Sequence, residues 1–295
     1  MRCFIIFFLF SILNGQSILP SLHSWFSAIE LSMAGGGSLI MSPTSRINNP
    51  ANLIFKKSFS TSLILYPAEI QAQSLAVTYP LEEKIIVVGI NHISYGAFQG
   101  YDENAIPTNN YNSNDTWIKL GYTSKPGVKN INYGFSTQIY FSNLANYNYS
   151  SILFSGGFIW QIKKYNLNIG VSIEDVMFHF DSYNNISPMR YVFGIKKKLN
   201  YLPLEISIDY LFLNNNMNKD LFISGRFKIN NKVNFYLGTS SRKNAQNTEI
   251  SILNSILGSS GIGFNYGDDK ILFGYGLYFY GTGGYVNGID LRFYF

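Results

Sequence analysis

The last eight residues of the chain alternate strictly between apolar and polar side chains. In an extended chain the odd-numbered positions form an apolar, aromatic face: Ile289, Leu291, Phe293 and Phe295. The even-numbered positions form a second face that carries two opposite charges: Gly288, Asp290, Arg292 and Tyr294. A transmembrane barrel strand needs two such faces, because one side meets lipid and the other meets a polar lumen. The segment therefore predicts a membrane-spanning β-strand.

Similar alternation recurs from residue 54 to the end of the chain. In 204–212, for example, Glu205 and Asp209 lie on the face opposite the apolar residues. A period of two is the strand signal, and about fourteen such segments can be counted. Glycines such as Gly274 and Gly276 on an inward face suit a crowded interior, or a place where another part of the molecule approaches the wall. We predict an all-β, 14-stranded antiparallel transmembrane β-barrel over 54–295.

The connections between these segments differ in length in a regular way. The even-numbered connections are short: 80–83, 125–130, 163–165, 199–202, 230–231 and 267–269. Several odd-numbered ones are long: 96–114, 177–188 and 242–257. Barrels of the bacterial outer membrane have short periplasmic turns and longer external loops. The pattern predicts an up-and-down barrel in the outer membrane, with outer-membrane lipids around it.

The composition agrees with alternation rather than with helical spans. Charged residues make up only 13% of the chain, about half the usual share. Aromatic residues make up 17%, which suits anchoring at both membrane interfaces. The mean hydropathy of +0.05 is too low for a helical bundle. Beyond the N-terminus no apolar run of about 18 residues occurs, so no helical span is predicted.

The first 16 residues are predicted to be a secretory signal peptide. Arg2 supplies the positive charge, 3–13 form an apolar core, and Gly15 and Ser17 are small residues suited to cleavage. A membrane anchor is the alternative, but this core is too short to span a bilayer. The only cysteine, Cys3, lies within this segment. The mature chain is therefore predicted to have no disulfide and no cysteine metal site.

Residues 17–53 do not alternate and are predicted to fold into the barrel mouth as a plug. Residues 25–33 predict a short helix or turn, which Gly35, Gly36 and Gly37 would end in a flexible turn. No Gly-Lys-Ser/Thr follows these glycines, so they do not form a phosphate loop. Asn49, Pro50 and Ala51 are predicted to redirect the chain into the first strand.

Charged residues on the polar faces are expected to point into the lumen. They are Lys119, Glu174, Glu205, Asp209, Arg226, Lys228, Asp290 and Arg292. A basic residue facing lipid would cost about 2–4 kcal/mol at mid-membrane, so we expect these groups to pair across strands in the lumen. A selectivity ring or a carboxylate-binding site for a fatty acid is the alternative. Asp175 has the opposite parity to Glu174 and is predicted to lie at a strand end near the headgroups.

Chemistry-bearing motifs are sparse. His23, His92 and His179 lack metal-ligand spacing, and no G-x-S-x-G turn accompanies His179 and Asp181. We therefore predict no catalytic, cofactor or metal site, and no enzyme. The basic residues lie mostly in short turns beside the membrane and do not form a stripe interleaved with stacking aromatics. Nucleic acid is not an expected partner.

The order of several short motifs resembles the PorV/PorQ family, which is related to the FadL fatty-acid transporter barrels. The segment A-I-E-L-S-M-A-G-G-G at 28–37 and N-P-A at 49–51 resemble the N-terminal motifs of that family. The PorQ branch is suggested by I-S-Y-G-A-F at 93–98, L-P-L-E-I at 202–206, N-F-Y-L-G at 234–238 and G-I-G-F at 261–264. One departure is the short connection 214–219.

The resemblance implies a part in the type IX secretion system. The barrel would anchor a PorZ-like surface protein and act with PorU-like and PorV-like components that attach cargo. The alternative is a FadL-like transporter of hydrophobic small molecules, in which Asn49, Pro50 and Ala51 would help to shape the exit path. Tyr294 and Phe295 are predicted to be the C-terminal signal that the barrel assembly machinery reads.

Overall fold

The computed structural model shows a closed barrel of fourteen antiparallel strands. It describes residues 21, 24–40, 42–46, 48–124, 130–145, 147–179, 189–213, 219–244 and 258–295. The strands are β1 (Ser58–Leu65), β2 (Gln71–Leu81), β3 (Lys84–Phe98), β4 (Tyr111–Ser124), β5 (Ile131–Leu144), β6 (Tyr147–Ile162), β7 (Leu167–His179), β8 (Arg190–Lys198), β9 (Leu204–Leu213), β10 (Lys219–Lys228), β11 (Val233–Ser240), β12 (Ser260–Gly267), β13 (Ile271–Phe279) and β14 (Tyr285–Tyr294). Each strand pairs with the next, and β1 closes the barrel against β14 from Ser58↔Tyr294 to Leu65↔Asn287. The predicted fold class is confirmed.

The outer face of the wall is apolar, and the inner face carries the buried charged and polar side chains together with some apolar ones. In β14, Ile289 and Phe293 are 40% and 38% exposed, whereas Arg292 points inward and is only 7% exposed. The same division recurs in neighbouring strands, where leucine, isoleucine and phenylalanine cover the outside. An apolar outer surface on a closed barrel is the arrangement that lipid requires. The protein is a bacterial outer-membrane β-barrel.

In the part of the chain that the structure describes, no helix has the length and apolar character needed to cross a membrane.

The two rims of the barrel differ. Turns such as 82–83 and 229–232 close one rim, which we call the periplasmic rim because barrels of this kind place short turns there. The opposite, outer rim carries the connection 99–110 between β3 and β4. Most of the predicted long loops 177–188 and 242–257 lie outside the described residues.

The described residues of 24–53, which are 24–40, 42–46 and 48–53, lie inside the barrel, and we call them the luminal segment. It begins with a short helix, α1 (Ala28–Ser32), where the Ser27 side chain accepts a hydrogen bond from the Ile29 amide. Helix α1 packs on β12, β13 and β14. The predicted signal peptide, 1–16, lies outside the described residues, and the action of the segment as a plug stays a prediction.

The hydrophobic core lies between the luminal segment and the wall. The ring centre of Trp25 lies 4.5 Å from that of Tyr278, and Phe26 lies 5.4 Å from Trp117. Trp117 in turn stacks on Tyr140 at 5.0 Å. A sheet that faces lipid on its outer side can bury apolar groups from water only on its inner side. The aromatic residues of the luminal segment therefore supply much of this core.

Two inward glycines show how closely the luminal segment approaches the wall. A Cβ atom at Gly276 would overlap the Ala28 carbonyl oxygen of α1. A Cβ atom at Gly134 would overlap the Pro50 carbonyl oxygen. Only glycine permits backbone to lie against backbone at these two positions. The expectation that inward glycines mark a close approach to the wall is confirmed for Gly276.

Candidate functional site

A β-bulge in β7 places two adjacent carboxylates inside the barrel. The register with β6 shifts between Phe154 and Gly156, and Asp175 adopts a positive φ of 58°. Its amide donates to the Ser155 hydroxyl at 3.2 Å. Glu174 and Asp175 consequently both point inward, each 2% exposed. The prediction that Asp175 lies near the headgroups was wrong, because the extra residue of a bulge interrupts strict alternation.

Two arginines neutralise this carboxylate pair. Arg46 of the luminal segment donates to both oxygens of Asp175, at 3.0 and 3.3 Å. Arg190 on β8 lies 2.9 Å from Glu174 and 3.0 Å from Asp175. All four side chains are buried, and burial requires such pairing because an isolated charge would be strongly unfavourable. We call these four residues the luminal ion cluster.

Arg46 and Arg190 were not among the charges predicted to lie in the lumen. Arg46 lies in the segment without alternation, and Arg190 begins a strand beside a predicted loop. The sequence feature that could have indicated them is the adjacent pair Glu174 and Asp175. If both carboxylates face inward and are buried, positively charged side chains must lie beside them. The sequence alone does not reveal which arginines would satisfy that need.

Five of the other predicted lumen charges fall into two groups; Lys228 is instead exposed at the periplasmic rim, and Arg292 donates to the Ser60 hydroxyl on β1 at 3.2 Å. Arg226 pairs with Glu205 across β9 and β10 at 2.6 Å, as predicted. Asp209, Asp290 and Lys119 instead bind the luminal segment, so the expectation of cross-strand pairing was wrong for them. Lys119 Nζ, for example, donates to the Ser45 carbonyl at 2.9 Å. The wall thus uses its charges mainly to hold what lies inside it.

Asp290 on β14 holds the first turn of α1 to the wall by hydrogen bonds. Its carboxylate accepts from the Ala28 amide at 2.8 Å and from the Ser27 hydroxyl at 2.7 Å. A third hydrogen bond comes from Ser62 on β1, at 2.6 Å. A carboxylate at the first turn satisfies amide groups that have no partner within the helix.

The predicted glycine turn follows α1 and is held by Asp209. Gly35 and Gly37 have φ of 85° and 81°, which glycine adopts without strain. The Gly37 amide donates to Asp209 at 2.7 Å, and the Ser38 hydroxyl donates to the same carboxylate. Gly36 lies against Phe222 on β10. The structure thus places Gly36 and Gly37 beside β9 and β10, and Gly35 against Trp25.

The Asn-Pro-Ala motif attaches the end of the luminal segment to the wall. The Asn49 side chain accepts from the Ala51 amide at 2.9 Å and donates to the carbonyls of Phe158 and Val171 at 3.3 and 3.2 Å. The Pro50 carbonyl accepts from the Thr123 hydroxyl. The motif therefore joins β4, β6 and β7 near the bulge, an arrangement compatible with both roles predicted for it.

The C-terminal aromatics lie at the periplasmic rim. Lys56 Nζ lies 4.3 Å from the ring centre of Tyr294, and Lys57 Nζ lies 4.7 Å from that of Phe295. Both distances are typical of cation–π interactions. Their role as an assembly signal stays a prediction.

Glu30 on α1 is a buried carboxyl group of the luminal segment whose pKa is clearly raised. It accepts hydrogen bonds from the Phe26 amide at 2.9 Å and from the Ser45 hydroxyl. Burial raises the pKa of Glu30 from 4.5 to about 7, and the nearby Asp290 raises it further against the opposing effect of these bonds and of Lys119. Glu30 therefore changes charge close to neutral pH.

We expect the docking of α1 to weaken as the pH rises from about 4.5 to about 7. The docked form binds the Glu30 proton more tightly than the undocked form, so protonation stabilises docking and this contribution is lost through that window. Single-channel conductance in planar bilayers should be several-fold lower at pH 5 than at pH 8. Glu30→Gln should flatten this dependence; an unchanged pH profile in that variant would contradict the assignment.

A narrow cavity lies between the luminal segment and strands β7 to β10. The space between its walls is about 720 Å³ including the open mouth. The volume that a water molecule can enter is only about 50 Å³. The apolar lining consists of Trp25, Ile29, Ile40, Val192, Leu211 and Phe222. The polar lining includes Glu30, Glu174, Arg190, Asp209 and Arg242. The cavity lies toward the outer rim. Its lining residues on β8 and β10 are near the start of those strands and those on β9 are near its end, and these strand ends are at the outer rim.

An apolar groove lies on the lipid side of the wall and shares strand β7 with the cavity. It runs across β4 to β7 and is bordered by large side chains, including Leu120, Phe135, Phe154, Ile173, Val176 and Phe178. The outward position Gly156 leaves a gap beneath the Phe135 ring. Ile173 and Val176 of the groove flank the two carboxylates of the bulge. The bulge is therefore the wall between the cavity and the groove.

Comparisons with known proteins relate the chain to others by fold alone. No protein-family model and no curated protein matches the sequence. The toluene transporter TbuX of Ralstonia pickettii matches with a TM-score of 0.65 at 13% identity, covering 92% of this chain and 98% of that one. The monoaromatic hydrocarbon channel CymD matches with a TM-score of 0.62 at 10% identity, covering 95% and 99%.

A FadL homologue of Pseudomonas aeruginosa also matches, with a TM-score of 0.50 at 10% identity, covering 92% of this chain and 98% of that one. The chain has the fold of FadL-type outer-membrane barrels. Membership of the PorV/PorQ family, and a place in type IX secretion with PorZ-like, PorU-like and PorV-like partners, stay predictions.

Proposed function

We propose that this protein is a channel for small hydrophobic molecules across the outer membrane. The observation that carries the proposal is the position of the bulge in β7, with a partly apolar cavity on its inner side and an apolar groove on its lipid side. A hydrophobic molecule that crosses the wall at this point avoids the aqueous centre of a pore. Solved structures of the same fold include a toluene transporter and a monoaromatic hydrocarbon channel, which supports the proposal.

Passage requires the luminal segment to move. The cavity is too narrow for an aromatic ring in the arrangement seen here, since little of it is wider than a water molecule. The glycine turn at 35–37 lines the cavity, and Arg46 holds the luminal segment to the bulge, so a shift of these residues would widen the cavity. The ion pairs of the luminal ion cluster would then hold the luminal segment in the position that closes the path.

Uptake of labelled toluene by cells that produce the barrel tests the proposal. We expect an initial uptake rate several-fold above that of cells without it. Leu211→Trp should abolish most of the increase, because Leu211 is buried on the cavity side of β9. Ile208→Trp is the matched control, since Ile208 lies on the lipid side of the same strand. Unchanged toluene uptake, or equal stimulation of arabinose uptake, would refute the proposal.

Anchoring of a PorZ-like surface protein is not part of this proposal, because the comparisons favour the transporter alternative and say nothing of partners.

A further inference from the structure

Six exposed lysines lie together on one part of the periplasmic rim, below β6 to β11. They are Lys163, Lys164, Lys197, Lys198, Lys228 and Lys232. They occupy three successive turns and the strand ends beside them. We call this set the basic arc.

Hydrogen bonds between the turns make the basic arc one continuous surface. The Lys198 amide donates to the Asn166 carbonyl at 3.0 Å, and the Asn166 side chain donates to that of Asn200, also at 3.0 Å. The Lys228 amide donates to the Pro203 carbonyl at 2.7 Å. Neighbouring strands are about 4.8 Å apart, so lysines on adjacent strands and turns can contact one extended anionic surface.

The basic arc carries more positive than negative charge. Among the described residues of the arc, the acidic side chain is Glu205, which is already paired with Arg226 at 2.6 Å. The remaining rim balances its own lysines with acidic neighbours: Lys56, Lys57, Lys84 and Lys270 lie among Glu82, Glu83, Asp268 and Asp269. Lys56 and Asp269, for example, lie 3.4 Å apart. The arc is therefore the part of the described rim with excess positive charge.

The side chains around the arc place it at the membrane interface. Lys197 follows Phe193 and Ile195 on the outward face of β8, and it pairs in register with Leu167. Tyr165 and Tyr201 project from the adjacent turns, and Tyr201 is 98% exposed. Lysine and tyrosine at the end of a lipid-facing surface are typical of headgroup contact. An outward lysine at this level can extend its ammonium group to the lipid phosphates.

We propose that the basic arc binds the headgroups of anionic phospholipids in the periplasmic leaflet. The lysine ammonium groups donate to the lipid phosphates, while the adjacent tyrosines lie against the upper acyl chains. A soluble acidic protein would match the charge but not the outward apolar residues beside it. The proposal is independent of transport.

Native mass spectrometry of the purified full chain tests the proposal. The protein is mixed with equal amounts of phosphatidylglycerol and phosphatidylethanolamine, and we expect preferential retention of phosphatidylglycerol. The variant K163Q/K164Q/K197Q/K198Q should bind phosphatidylglycerol about tenfold more weakly, because each lysine near an anionic lipid surface contributes appreciably. The variant K56Q/K57Q/K84Q/K270Q removes the same number of charges elsewhere on the rim and should bind like the original protein.

Three results would overturn the proposal: no preference in the original protein, equal loss in both variants, or full displacement of the lipid by glycerol phosphate at equal concentration. The last would show a free-phosphate site rather than a lipid site. The shift of the folded barrel in unheated gels verifies that each variant is folded. If the fourfold variant does not fold, the paired variants K163Q/K164Q and K197Q/K198Q should each show part of the loss, and an effect of neither would also overturn the proposal.

Discussion

Replacing Arg46 by alanine is expected to detach the luminal segment from the bulge. The change leaves two buried carboxylates, Glu174 and Asp175, with Arg190 as the remaining arginine of the luminal ion cluster. Removing one partner of a buried ion pair costs about 3–5 kcal/mol, because the remaining charge stays out of water. Amide hydrogen exchange in the luminal segment should accelerate by two or more orders of magnitude, and planar-bilayer conductance should rise.

An exposed ion pair provides the control for this variant. Lys56 and Asp269 also form a 3.4 Å contact, but both side chains are accessible to water. Lys56→Ala should change stability by only about 0–1 kcal/mol and leave exchange in the luminal segment unaltered. If Arg46→Ala exchanged as slowly as the original protein, the luminal ion cluster would not hold the segment.

Replacing Gly276 by valine is expected to displace α1 from the wall. The new Cβ would overlap the Ala28 carbonyl and lie 2.7 Å from the Ser32 hydroxyl. Backbone atoms of a short, packed helix cannot move aside as a flexible side chain can. Overpacking of this kind costs about 1–3 kcal/mol or more. We expect faster exchange of the α1 amides and a larger conductance, with the barrel itself still folded.

Gly225→Val is the matched control, because its Cβ would meet its nearest neighbours at 3.5 and 3.6 Å on the lipid side. Valine suits a strand, so the exchange and conductance of this variant should equal those of the original protein. A Gly276→Val protein with unaltered α1 exchange would show that the contact between helix and wall is adaptable.

Much of the barrel could be predicted because its physical cause is local. Alternation with a period of two assigned Asp290 and Arg292 to the inside and Ile289 and Phe293 to the outside, and the structure agrees. Each assignment required only that lipid excludes charge. Strand number and the shortness of one set of turns followed from the same pattern.

The interior could not be predicted to the same depth. Asp175 was misplaced because a bulge inserts one residue, and no local pattern marks it. Asp209 and Asp290 were expected to pair across strands, yet each binds backbone amides of the luminal segment, well over a hundred residues away. Such pairings depend on how the segment lies in the barrel, which is a long-range property.

The aromatic core formed by Trp25 and Phe26 has a consequence for how such a barrel evolves. These residues belong to the part of the chain that would have to move in the proposed transport, yet they also bury the apolar interior. Looser attachment of this part should raise permeability and lower resistance to heat at the same time. Natural variants with higher permeability are therefore expected to have lower thermal stability.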